Sequence, residues 1–199
     1  MEANKKKVAG IPDPIEYELK KKEIEILNLR DKNNEIDLFF GDESGFSLVP
    51  TVPYAWQPVG KNIQVRSSLS KRINVLGFLS KNDDLKCMTL QGCVDTECVT
   101  SAIDALFKNV KRETWLVLDN APIHRSKKFK LKEEEWKNKN IHIVFLPSYS
   151  PELNPIEIVW RFIKYQWMPF SAYSSFDSLS KALNNILSNY KSKYSITFA

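Results

Sequence analysis

TWLVLDNAPIH, residues 114–124, runs from five β-prone residues straight into an acid, with no spacer between them. Thr114 to Leu118 make the short continuous run expected of a strand buried within a sheet. Asp119 therefore stands where such a strand delivers a side chain to the sheet's rim. Just upstream, Val99, Ala102, Ile103, Leu106, Phe107 and Val110 recur at helical spacing, and Asp95 precedes them as an N-cap. Downstream, a highly charged helix is expected around 126–138, followed by a second strand, IHIVF, at 141–145.

Further out, IDLFF (36–40), FSLV (46–49), INVLGFL (73–79) and KCMTLQGCV (86–94) read as consecutive strands, with KNDD (81–84) supplying turn chemistry for a hairpin. After a loop rich in Pro and Ser, Asn154 and Pro155 open a helix with Ile156, Val159, Trp160, Ile163 and Trp167 on one stripe. A last helix is expected near 177–191, and residues 15–32 read as a charged surface helix. A meander of strands followed by alternating helices and strands predicts an α/β fold: a ribonuclease-H-like mixed sheet flanked by helices. The division expected is a basic N-terminal arm and helix, 1–34, ahead of one ribonuclease-H-like domain, 35–199, that includes the last helix.

Composition narrows the function classes. With 43% hydrophobic and 12% aromatic residues the chain can bury one core, and a net charge of +5 favours an anionic partner such as nucleic acid. No apolar run reaches membrane-spanning length, and Lys5, Lys6 and Lys7 have no apolar stretch behind them, so neither a membrane partner nor a secretory leader is expected. Cys87, Cys93 and Cys98 form no CxxC pair, which suits a reducing cytoplasm better than a disulfide or zinc scaffold.

Asp42, Asp119 and Glu157 fall at the ends of three different elements. Brought together, their charges repel unless cations occupy the gap. Divalent metals such as Mg²⁺ prefer oxygen ligands, and a pair of ions roughly 3.5–4 Å apart can stabilise the attacking and leaving oxygens of a displacement at phosphorus. Taken alone, each context has a plainer reading as well. DESG (42–45) has turn composition, so Asp42 can be a turn residue, and Asn154 with Glu157 three positions on resembles a capping box.

The surrounding wording favours the metal. FFGDESGF (39–46), LVLDNAPIH (116–124) and LPSYSPELNPIEIVW (146–160) resemble, in order, the three acidic motifs of DDE-type transposases of the Tc/mariner superfamily, in the branch found in bacterial and archaeal insertion sequences. The likeness runs from about Ile36 to Trp167. It implies that Asp42, Asp119 and Glu157 are the catalytic, metal-binding acids for two Mg²⁺ ions, with Mn²⁺ as substitute, and that Asn120, His124 and Asn154 support them; a purely structural His124 is the alternative. It further implies DNA, both transposon ends and target, as partner, a homodimer, and a bacterial or archaeal cytoplasm with nucleoid association. Family members carry helix-turn-helix modules ahead of this core, and none is legible here. An upstream helix-turn-helix polypeptide is thus an expected partner.

RSKKFKLK (125–132) follows the second motif and offers Arg125, Lys127 and Lys128 to DNA phosphates; Glu133 to Glu135 can pair with these lysines instead. Trp56 and Lys61, in VPYAWQPVGK (52–61), can contact DNA or belong to a packed Pro-rich loop. The function expected is cleavage and strand transfer at transposon ends. The rival readings are a catalytically silent remnant that binds DNA or regulates, and a structure-specific nuclease on the same fold.

Overall fold

The computed structural model of the chain describes residues 13–51, 59, 71–92 and 94–197. Five strands, β1 Asp37–Ser47, β2 Arg72–Ser80, β3 Leu85–Gln91, β4 Thr114–Leu118 and β5 Ile141–Phe145, form one sheet in the order β3-β2-β1-β4-β5. β1, β2 and β3 are an antiparallel meander, whereas β4 pairs parallel with both β1 and β5. The parallel pairs need crossovers, and helices α2 (Thr96–Leu106) and α3 (Lys127–Lys137) supply them. Each begins at a side-chain cap: Asp95 accepts from the Cys98 amide at 2.8 Å and Ser126 from the Phe129 amide at 3.1 Å.

β1 departs from expectation. The runs at 36–40 and 46–49 are one strand and not two, because every residue from Phe39 to Ser47 pairs with β2, Phe39 opposite Ser80 and Ser47 opposite Arg72. DESG has turn chemistry, yet a continuous ladder outweighs that local preference. Close packing explains the glycine in front of Asp42: a Cβ on Gly41 would lie 2.5 Å from the Phe78 ring and 2.7 Å from Leu118.

Alternation along β1 separates two cores. Phe39 joins Leu76, Phe78, Leu116 and Leu118 beneath α2 and α3, where Phe129 and Trp136 are fully buried. Leu38 and Phe40 point the other way, into a cluster with Val117, Val144 and Leu146 that is covered by Ile24 and Leu27 of α1 (Pro14–Lys32). Phe46 continues this second face into the largest cluster, made with α4 (Ile156–Phe162) and α5 (Phe176–Ser188). Helix α1 is thus attached to the sheet, and Asp31 fastens its end by accepting from the Leu38 amide at 3.0 Å. Among the described residues no helix is long and apolar enough to cross a membrane.

Candidate active site

Parity and register bring the first two acids together. Phe40 lies opposite Val117 in the parallel β1/β4 pair, so continuing two residues sets Asp119 level with Asp42 on the same face. The third comes from α4. Gly77, opposite Asp42 on β2, has no side chain to hold the helix off: a Cβ there would lie 2.7 Å from the Trp160 ring and 3.1 Å from Ile156. α4 can therefore lie close over the strands, with Glu157 in its first turn. Asp42, Asp119, Asn120, Asn154 and Glu157 line one open cavity of about 440 Å³, to which residues 146–151 also contribute. Among the described residues no three acidic, histidine or cysteine side chains are gathered tightly enough to enclose an ion as they stand; the acids face a common space.

Both plainer readings of these acids give way. Asp42 lies inside a strand and makes no turn. The capping box does not form either, because no side chain caps α4 and Pro155 occupies the cap position. Asn154 instead donates from Nδ2 to the carbonyl of Gly41 at 3.1 Å, buried, tying the start of α4 to the residue before Asp42. Glu157 is left free to face the cavity.

Charge is arranged unevenly among the acids. Burial, then the charges of Glu157, Asp119 and Glu43, push the Asp42 carboxyl up to about 8 against the help of the Glu43 amide. Burial also opposes ionisation of Asp119, but the hydrogen bond and charge of His124, with the Ala121 amide, hold it below the usual carboxylate range. His124 is buried, with Nδ1 3.0 Å from both the side chain and the carbonyl of Asp119 and Nε2 3.7 Å from Glu43 Oε1. Burial lowers its proton affinity, yet Asp119 and Glu43 together outweigh that and push it up to about 9. The His124 proton therefore stabilises the fold fully below about pH 6.5, and that contribution is lost as pH rises through about 9. His124→Gln is expected to flatten the decline of the metal-free melting temperature between those two pH values; a decline identical to the wild type would refute the assignment.

Glu43 was not singled out from the sequence, although it stands next to Asp42. On a strand, adjacent residues face opposite sides, and Glu43 faces His124 while Asp42 faces α4. Lys164 was also missed. It lies seven positions after Glu157, two helical turns along, in a π-helical turn that spans Ile163–Trp167. Burial and Arg72 lower its proton affinity against the pull of Glu157 and Asp42.

Of the residues expected to meet DNA, Arg125 donates from Nε to Asn120 Oδ1 at 2.6 Å, which places it beside the cavity. Lys127 and Lys128 are exposed at the start of α3, and Lys128 reaches Glu97 at 2.8 Å. Lys132 pairs with Asp104 and Glu135, so the acidic run after the cluster neutralises only part of it. Trp56 and Lys61 lie outside the described residues.

Sheet order, the parallel crossovers and the faces on which the helices pack define a ribonuclease-H-like domain, as the sequence pattern predicts. The profile of the DDE superfamily endonucleases matches residues 37–180, and the chain belongs to that family. Its fold is similar to the catalytic domain of Mos1 mariner transposase, with a TM-score of 0.60 and 16% identity over 94% of this chain and 88% of that one. It is also similar to the mariner Mos1 paired-end complex with Mg, with a TM-score of 0.61 and 18% identity over 98% of this chain and 62% of that chain. The uncharacterized protein y4pE/y4sA of Sinorhizobium fredii (strain NBRC 101917 / NGR234) is 32% identical over 87 residues, 43% of this chain and 60% of that protein. The chain thus matches about three-fifths of the curated relative's length.

Proposed function

We propose that this chain is the catalytic domain of a transposase, a divalent-metal-dependent enzyme that hydrolyses phosphodiester bonds at the ends of a DNA element and joins the freed 3′-hydroxyl to target DNA. One observation carries the reading: Asp42, Asp119 and Glu157, from three separate elements, line a single cavity. Asp42 and Glu157 also forgo the local roles that their sequence contexts offered.

The donors suit Mg²⁺ or Mn²⁺. All three are carboxylates, and Ser150 Oγ and Asn154 Oδ1 on the same wall are buried with no hydrogen-bond partner among the described residues. Two such ions, when bound, would stabilise the attacking and leaving oxygens at phosphorus. The protein's own part is preparation of the site. His124 keeps Asp119 ionised, Asp42 must release its proton as the site fills, and Asn154 holds the start of α4 against β1. Arg125, Lys127 and Lys128 take phosphates of the DNA that enters the cavity, and a homodimer brings two DNA ends together.

Charge reversal at Lys127 and Lys128 tests the DNA side. Lys127→Glu with Lys128→Glu should weaken binding across unrelated sequences and lower the slope of log K against log salt by about two. An unchanged slope removes these residues from the interface. The central test is a crystal soaked in Mn²⁺, read by anomalous density, with cleavage by Asp119→Asn in the complete transposase beside it. Manganese between the three acids together with loss of cleavage supports the reading. An empty cavity, or undiminished cleavage by the variant, overturns it.

A further inference from the structure

Helix α1 has one apolar face too many. Ile24 and Leu27 are buried against the sheet, which accounts for its attachment. On the opposite side Ile15, Leu19, Ile26 and Leu29 are 75%, 64%, 59% and 61% exposed. With Lys22 between them, these positions follow one another at intervals of four, three, four and three residues, the seam that one helix presents to another. Such a continuous stripe marks an interaction surface more often than scattered apolar residues do.

Charge along the same helix selects the occupant. Its first half carries Glu16 and Glu18 beside the stripe, and its last turns carry Arg30 and Lys32. When two copies of such a helix lie antiparallel, with Leu19 against the partner's Leu29, Glu16 comes opposite the partner's Arg30 and Glu18 opposite the partner's Lys32. Two-fold symmetry repeats both pairs, and the helix dipoles oppose favourably. Glu25 then meets the partner's Glu25 at the centre, where the two Lys22 side chains lie between them. A parallel pair would instead set Glu18 beside the partner's Glu23. Arg30, already engaged with Glu113 at 3.0 Å, is shared in either arrangement, so the pair of Glu18 with the partner's Lys32 decides between them. Residues 1–12 offer little to cover the stripe from within, since Val8 and Ile11 are their only large aliphatic side chains after Met1.

We propose that α1 is a dimerisation helix, pairing antiparallel with α1 of a second copy of this chain through Leu19, Ile26 and Leu29. The interface is independent of the acid-lined cavity. The contact is short, and the dimer it makes is correspondingly concentration-dependent.

Sedimentation velocity of the full chain, from about 1 to 200 µM, reads the equilibrium directly. The wild type is expected to shift from monomer to dimer over that range. Leu19→Glu with Leu29→Glu should weaken association about a hundredfold or more while leaving the circular dichroism unchanged, both side chains being exposed. Glu18→Lys and Lys32→Glu should each weaken it roughly tenfold, and the two combined in one chain should restore it, because the swap regenerates opposite charges only in the antiparallel pair. A wild type that stays monomeric, a dimer that survives the leucine changes, or a swap that fails to recover each overturns the proposal. Manganese binding by the same variants stays at wild-type level, so this failure is distinguishable from failure of the catalytic reading.

Discussion

Asp42→Asn is expected to lower metal-dependent DNA cleavage by at least about 10³-fold and, in the same molecule, to raise the melting temperature of the metal-free chain at pH 8 by several degrees. The two effects have one cause. Burial, and then the charges of Glu157, Asp119 and Glu43, push the Asp42 carboxyl up to about 8, whereas in the unfolded chain it ionises near 3.8. Between those values the folded state holds the extra proton. Stability is therefore greatest below about pH 3.8 and is lost as pH rises through about 8. The variant removes this loss, so its advantage should be absent near pH 4, grow towards pH 8 and then level off. Melting curves in a chelator at a series of pH values measure it. A variant no more stable than wild type at pH 8 would show that folding does not raise the Asp42 carboxyl. The same linkage predicts that metal uptake by the wild type releases protons and strengthens as pH rises towards 8.

The second large effect comes from a residue with no functional group. Gly77→Ala places a methyl where Trp160 and Ile156 lie against the strand, with the virtual Cβ 2.7 Å from the Trp160 ring. Trp160 is 2% exposed and cannot swing out, so α4 must move away from β2. Overpacking of this kind destabilises by about 1–3 kcal/mol. Because Glu157 rides on α4, activity should fall further than stability explains, on the order of 10²-fold, even at temperatures where the variant is fully folded. Assays at low temperature beside melting curves separate the two. Activity that merely tracks the folded fraction would mean that α4 does not transmit the displacement to Glu157.

The order of elements was readable because each carries its own period. Val99 to Leu106 repeat as a helix, although the apolar spacing runs on to Val110 past the cap at Phe107; Thr114 to Leu118 and Ile141 to Phe145 read as buried strands, and Ile156 to Trp167 as a helix whose last turn is π-helical. What was hidden were places where distant partners override local chemistry. Asp42-Glu43-Ser44-Gly45 has turn composition, and only pairing with β2 makes it strand. Asn154 and Glu157 have the spacing of a cap, and only the Gly41 carbonyl, 113 positions away in sequence, draws Asn154 elsewhere. The three cavity acids were legible from the motifs around them. Glu43 and Lys164 were not, since their parts depend on which face of β1 meets His124 and on how the turn after α4 packs.

Continuous pairing of β1 makes the site sensitive to reading phase along the strand. Asp42 and Glu43 are chemically close neighbours, separated only by which side of the sheet each one faces. Loss or gain of a single residue between Phe40 and Asp42 would exchange the faces on which they stand, turning the longer carboxylate to the cavity side of the sheet and the shorter one away from it. Length variation among relatives should therefore be excluded from this strand and collect in the loops, where it leaves parity intact.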